Sequence, residues 1–283
     1  MFKQVKMCVR LSIIMALMVA LAGCGAVQNK AATSSMDRQG QRTGASTSKP
    51  AETVELIVSA AASMTSALKD IQKAYEPNHP GIKLNFNFGA SGALQHQIEQ
   101  GAPVDLFLSA AAKNMKALVD EQLVDASQQK KLLSNELVAV VSTDGKAKVT
   151  KAADLTRDDV RTVAIGIPES VPAGGYAKEA LTSLKLWDSL QSKMVQGKDV
   201  RQVLQYVETG NADVGFVYQS DALSSHKVKV AFTVDPTTYK RIEYPIGVVK
   251  ATQHRKEAED FYTYLQSKEA LDVFVKYGFS VLN

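Results

Sequence analysis

Two short stretches set a serine among residues too small to shield it. Ser59-Ala60-Ala61-Ala62-Ser63-Met64-Thr65 follows a β-rich run, and Gly89-Ala90-Ser91-Gly92-Ala93 follows a second one that ends at Phe88. Where strand gives way to helix, Ser63 and Ser91 are expected at helix N-caps. A helix start offers unpaired N–H groups and the positive end of the helix dipole, which together can hold an anion without any full charge. Small neighbours let backbone approach such a ligand closely. Two later helix starts have the same character. Val171-Pro172-Ala173-Gly174-Gly175-Tyr176 leaves backbone accessible at Ala173 and Gly174, and Asp199-Val200-Arg201 opens a helix with Asp199 as its N-cap. Val214-Gly215-Phe216-Val217-Tyr218 ends in a tyrosine whose hydroxyl can donate. Arg201 apart, these segments contain no Lys or Arg. The chemistry they suggest is the holding of a deprotonated anion by uncharged donors.

A different chemistry competes for the second loop. Gly89-Ala90-Ser91-Gly92-Ala93 comes near the G-x-S-x-G elbow of serine hydrolases, with His226 or His254 as the base. Its last position is Ala93 rather than glycine, and neither histidine has a recognisable acid–base setting. Taken singly, each serine is equally a simple cap, and Tyr218 an ordinary aromatic at a strand end. His79 lies in a turn and His96 stands on a helix without a partner at ligand spacing, so no metal site is expected. Trp187 reads as packing.

The elements that must position these residues alternate. Strands are expected at 54–58, 83–88, 105–108, 137–142, 162–167, 213–218, 228–232 and 246–249. Helices are expected at 64–75, 92–100, 114–121, 176–184, 200–208, 256–265 and 268–277. Such repetition argues for α/β layering with largely parallel sheets. In that class ligands bind beyond the carboxyl ends of strands, where the loops above fall.

Before this region comes a different kind of chain. Lys3, Lys6 and Arg10 precede an apolar run from Leu11 to Leu21, the layout of an export signal. That run is short of the roughly 20 residues a transmembrane span needs. Residues 25–53 are small and polar and read as a flexible tether. The whole chain of 283 residues carries a formal charge of +4. Residues 1–53 hold seven of the 33 basic side chains and two of the 29 acidic ones, so the remainder is close to neutral. No basic field is left to suggest nucleic acid. Of the two cysteines, Cys8 lies in the leader and Cys24 at its end, which leaves no thiol for a disulfide or a cysteine metal site.

Longer stretches carry a resemblance. Gln97-Ile98-Glu99-Gln100-Gly101-Ala102-Pro103-Val104-Asp105-Leu106-Phe107-Leu108-Ser109-Ala110, the 171–181 segment and Gly215-Phe216-Val217-Tyr218-Gln219-Ser220-Asp221-Ala222 resemble the molybdate-binding proteins of ABC transporters. So do Tyr244-Pro245-Ile246 and Lys276-Tyr277-Gly278-Phe279. The resemblance spans about residues 54–279. It implies a two-lobed periplasmic-binding-protein fold of type II, each lobe a mixed sheet flanked by helices, hinged by two crossing segments. Lobe one would comprise 54–141 and 244–283, and lobe two 142–243. The chain would cross near 140–143 and return near 243–248. Oxyanion contacts would come from Ser63, Ser91, the N–H groups of Ala173 and Val200, and the Tyr218 hydroxyl. With Ala90 and Gly92 on either side, Ser91 is the only hydroxyl of its loop. Leu21-Ala22-Gly23-Cys24 resembles a bacterial lipobox, implying removal of residues 1–23 and a lipidated Cys24 at the outer face of the cytoplasmic membrane. The implied ligand is molybdate or tungstate, with sulfate or phosphate as the rival on the same fold. No cofactor and no catalysis are implied. The implied partners are a membrane permease and its ATPase, and the expected state is a monomer.

Overall fold

The computed structural model describes residues 53–145 and 147–282. The leader, Cys24 and the tether up to residue 52 lie outside the described residues. Along the chain, β1 (Val54–Ala61) passes through a 3-10 turn at Ala62–Met64 into α1 (Thr65–Tyr75). Next, β2 (Ile82–Gly89) leads to α2 (Ser91–Glu99), and β3 (Leu106–Leu108) to α3 (Ala112–Asp120). Two strands follow in succession, β4 (Val124–Ser134) and β5 (Leu137–Ser142). The pattern then resumes with β6 (Val163–Gly166), α4 (Pro172–Ser183), α5 (Trp187–Leu190), β7 (Met194–Gly197), α6 (Val200–Glu208), β8 (Val214–Tyr218) and α7 (Gln219–Leu223). β9 (Val228–Thr233), β10 (Glu243–Val249), α8 (Arg255–Tyr264), α9 (Lys268–Lys276) and β11 (Ser280–Val281) complete it.

Two sheets result. The first has the order β11-β4-β10-β3-β1-β2, the second β7-β6-β8-β5-β9. β1 lies between β2 and β3, both parallel to it, and buries Leu56, Val58 and Ala60 completely. Against it α1 turns Ala67, Leu68, Ile71 and Tyr75, the i, i+1, i+4, i+8 stripe of an amphipathic helix. β2 is an edge strand, so its alternation of Leu84, Phe86 and Phe88 is only partly buried.

The sheets are mixed, as the type II fold implies, and less parallel than the strand–helix alternation suggests. β10 runs antiparallel to β3 and β4, and β5 antiparallel to β8 and β9. β4 has no counterpart among the expected strands. Its central Ser-Gln-Gln-Lys-Lys is half-exposed or exposed and shows no apolar alternation, because pairing with β10 rather than burial makes it a strand. β7, β11, α5 and α7 are likewise additions.

Two connections join the sheets: 135–136, from β4 to β5, and 234–242, from β9 to β10. The first lies earlier than the expected 140–143. Residues 137–141, placed in lobe one by the sequence, form β5 and hydrogen-bond within the second sheet. A run of buried apolar residues in 137–141 has no feature that says which sheet receives it. The return passes before 243–248, and those residues already belong to β10.

Candidate anion-binding site

The carboxyl ends of β1, β2 and β8 and the starts of α2, α4 and α6 converge on one small cavity, of about 10 Å³. Ser63, Ser91, Ala173, Val200 and Tyr218 all line it, beside Ala62, Ala90, Ala110 and Pro172. Among the described residues, no charged side chain and no histidine is part of that lining. Each of the five is at most 4 % exposed, so the lobes stand closed around the cavity.

The two serines reach it differently from the caps expected of them. Ser63 sits inside the 3-10 turn, and the N-cap of α1 is Met64. Ser91 is the first residue of α2, whose N-cap is Ala90, and no side chain caps that helix. Neither hydroxyl is therefore spent on its own helix. Ser91 Oγ accepts the N–H of Ala110 at 2.9 Å, which leaves its proton to donate elsewhere. Ser63 Oγ lies 3.0 Å from the Tyr244 hydroxyl. With Tyr244 donating in that pair, the Ser63 proton also points away to the cavity. Asn135 supports the arrangement from the first connection, donating to Ser220 Oγ at 2.8 Å and to Tyr244 Oη at 3.5 Å. Asn135 carried no signal in the sequence, and Tyr244 stood out only within a longer resemblance.

In the second lobe the donors are mostly backbone. Ala173 is the second residue of α4, which starts with Pro172, and Val200 is the first of α6. N–H groups at these positions have no acceptor within their own helix. Asp199 is the N-cap of α6 as expected, accepting from Gln202 N at 2.9 Å. Tyr218, at the end of β8, is the decisive side chain. Its hydroxyl is fully buried beside that of Tyr244 and makes no hydrogen bond of good geometry among the described residues. Leaving such a group unpaired costs about 1–3 kcal/mol. Burial pushes its pKa well above the ordinary value, as it does for Tyr244, so both remain neutral donors.

Behind Tyr218 lies a buried carboxylate. Asp221 accepts the Tyr218 N–H at 3.2 Å and faces Arg201 at 3.6 Å. Burial pushes its pKa up to about 6, with Arg201 opposing. Folded Asp221 therefore holds its proton more tightly than the unfolded chain, whose carboxyl titrates near 3.8. It contributes stability that is fully present below about pH 4 and is lost as the pH rises through about 6. The stability of Asp221→Asn relative to wild type should accordingly rise by about 2 kcal/mol between pH 4 and pH 7. Urea unfolding across that range checks this, and a pH-independent difference would count against it.

The hydrolase alternative finds no base here. The Ser91 hydroxyl is paired with the Ala110 N–H, and neither His226 nor His254 lines the cavity.

Known proteins repeat this architecture. The family described as bacterial extracellular solute-binding protein matches residues 56–280. A Bacillus subtilis protein, provisionally named an ABC transporter substrate-binding lipoprotein, is 52 % identical over 227 residues, covering 80 % of this chain and 86 % of its own. The molybdate-binding protein ModA of Escherichia coli is 40 % identical over 236 residues, 80 % of this chain and 89 % of its own. Among solved structures, the substrate-binding domain of a provisionally assigned molybdenum ABC transporter from Clostridium difficile superposes with a TM-score of 0.63. It shares 45 % identity and covers 81 % of this chain and 99 % of that one.

Proposed function

The chain belongs to the bacterial extracellular solute-binding proteins, and from that premise we propose that it captures molybdate, and tungstate with it, for an ABC importer. The unpartnered Tyr218 hydroxyl in a cavity of neutral donors is the observation that carries this reading. A doubly charged, fully deprotonated oxyanion accepts hydrogen bonds and offers none. Ser63, Ser91, the Ala173 and Val200 N–H groups and Tyr218 can each donate a hydrogen bond to it. Each bond to the charged ion contributes about 1.5–3 kcal/mol. The absence of a lining Lys or Arg keeps the ion releasable, as transport requires. Sulfate has shorter bonds to oxygen, and donors fixed on two sheets cannot all close in on it, which disfavours the smaller ion. The names of the relatives from Escherichia coli and Clostridium difficile support molybdenum as the cargo.

In this reading the protein performs no catalysis and keeps no cofactor. Cys24 is lipidated and holds it, as a monomer, at the outer face of the cytoplasmic membrane, where it meets a permease and its ATPase. Closure is a hinge motion about the two connections, bringing together donors that lie apart in the open form.

Thermal melts of the purified protein with molybdate, tungstate, sulfate or phosphate test the assignment. A ligand at 1,000 times its dissociation constant stabilises by about 4 kcal/mol, a rise on the order of 10 °C for a domain of this size. The expected result is that rise with molybdate and tungstate and little with the others. A rise with sulfate or phosphate alone would keep the fold and replace the ligand.

A further inference from the structure

Arg201 is the one cation next to the five site residues in sequence, yet it does not line the cavity. Its guanidinium lies between the lobes instead. On its own side it donates to Ser224 Oγ at 2.9 Å and pairs with buried Asp221 at 3.6 Å. Across the gap it donates to Ser66 Oγ at 2.7 Å and to the Ala62 carbonyl at 3.4 Å. Ala62 and Ser66 flank Ser63, and Val200 precedes Arg201, so one side chain ties together the segments that carry a donor from each lobe. A second tie joins the lobes, the Gly92 N–H donating to the Ser170 carbonyl at 2.9 Å.

We propose that Arg201 is a positioning residue for ligand capture, a latch that holds the Ser63 segment against the Val200 segment and sets how long the anion stays, without touching it. The inference rests on the anion-binding reading of the cavity. Three physical features support it. The guanidinium is oriented beforehand by Ser224 and Asp221, so little further side-chain freedom is lost when the lobes meet. Its planar fork is needed to reach two acceptors on one lobe and two on the other, a geometry that an ammonium cannot reproduce. Asp221 neutralises its charge, so the latch strengthens closure without adding a net cation beside the ion. Because the bonds to Ala62 and Ser66 exist only when the lobes are together, losing them should speed release far more than it slows capture.

The test measures molybdate association and dissociation by stopped flow on the full-length chain, for wild type, Ser66→Ala, Arg201→Lys and the double variant. Ser66→Ala removes an acceptor on the opposite lobe and leaves Arg201 and its own lobe intact. Release should quicken about tenfold in Ser66→Ala and at least as much in Arg201→Lys, with association changed less than about threefold. The double variant should release no faster than Arg201→Lys alone, because both changes break one bond. The melting point of the ligand-free Ser66→Ala protein should match wild type. Unchanged release in Ser66→Ala, or additive effects in the double variant, overturns the latch. A wild-type chain that binds none of molybdate, tungstate and sulfate overturns the functional reading instead. The latch is then judged from the open-to-closed population, read as the distance between spin labels on Lys116→Cys and Ser183→Cys in a chain that also carries Cys8→Ser and Cys24→Ser. A shift toward open in Ser66→Ala sustains it, and no shift overturns it.

Discussion

Tyr218→Phe is expected to weaken molybdate binding ten- to a hundredfold and, in the same protein, to leave the ligand-free fold as stable as before or more so. The two effects have one cause. With the lobes closed, the Tyr218 hydroxyl is buried without a protein partner, so it costs stability until an anion supplies the acceptor. Phenylalanine keeps the ring, which packs edge-on against Tyr244 with centroids 5.7 Å apart, and removes only the stranded oxygen. When the anion is present that oxygen becomes a donor to a charged group, and its loss is felt at about 1.5–3 kcal/mol. A side chain that serves only packing would show the reverse, a lower melting point and unchanged affinity. Calorimetric titration with molybdate, together with a melt of the ligand-free variant, separates the cases. Unchanged affinity would remove Tyr218 from the site.

Gly174→Ala should produce the larger structural effect. A Cβ at Gly174 would lie 1.9 Å from the Gly166 carbonyl oxygen and 2.5 Å from its carbon. Both are backbone atoms of β6, so no side chain can swing away. α4 must back off from the second sheet, and with it Ala173 and its N–H leave the cavity wall. Overpacking against fixed backbone costs about 3 kcal/mol or more, a melting point lower by on the order of 10 °C. The shift on adding molybdate should shrink as well, since a donor has moved. A variant that melts within about 2 °C of wild type and binds normally would show that α4 adjusts without moving Ala173.

Much of the site can be read along the chain because its parts are local. The helix start at Val200, the Asp199 cap and the strand ending at Tyr218 are each specified by fewer than ten neighbouring residues, whereas α4 begins at Pro172, four residues before the expected 176. The function of the two serines was harder to read. As residue types they suit a helix cap, and the cap was the expected role. Only the backbone path, through a 3-10 turn before α1 and with Ala90 at the cap of α2, shows that neither hydroxyl caps its own helix.

By itself the sequence determined that strands alternate with helices, that several helix starts follow strands in small-residue loops, and that these carry donors with almost no charge. Those features depend on periodicity, composition and turn chemistry over short spans. Tertiary structure decided the rest. β4 is a strand because β10 pairs with it, the crossing falls at 135–136 because β5 joins the second sheet, and Ser63 is oriented by Tyr244, 181 positions away. The Arg201 latch likewise reaches Ser66 across 135 positions. A hydrogen bond between such distant residues leaves no periodic trace in either segment, since its geometry exists only once both sheets are folded and brought together.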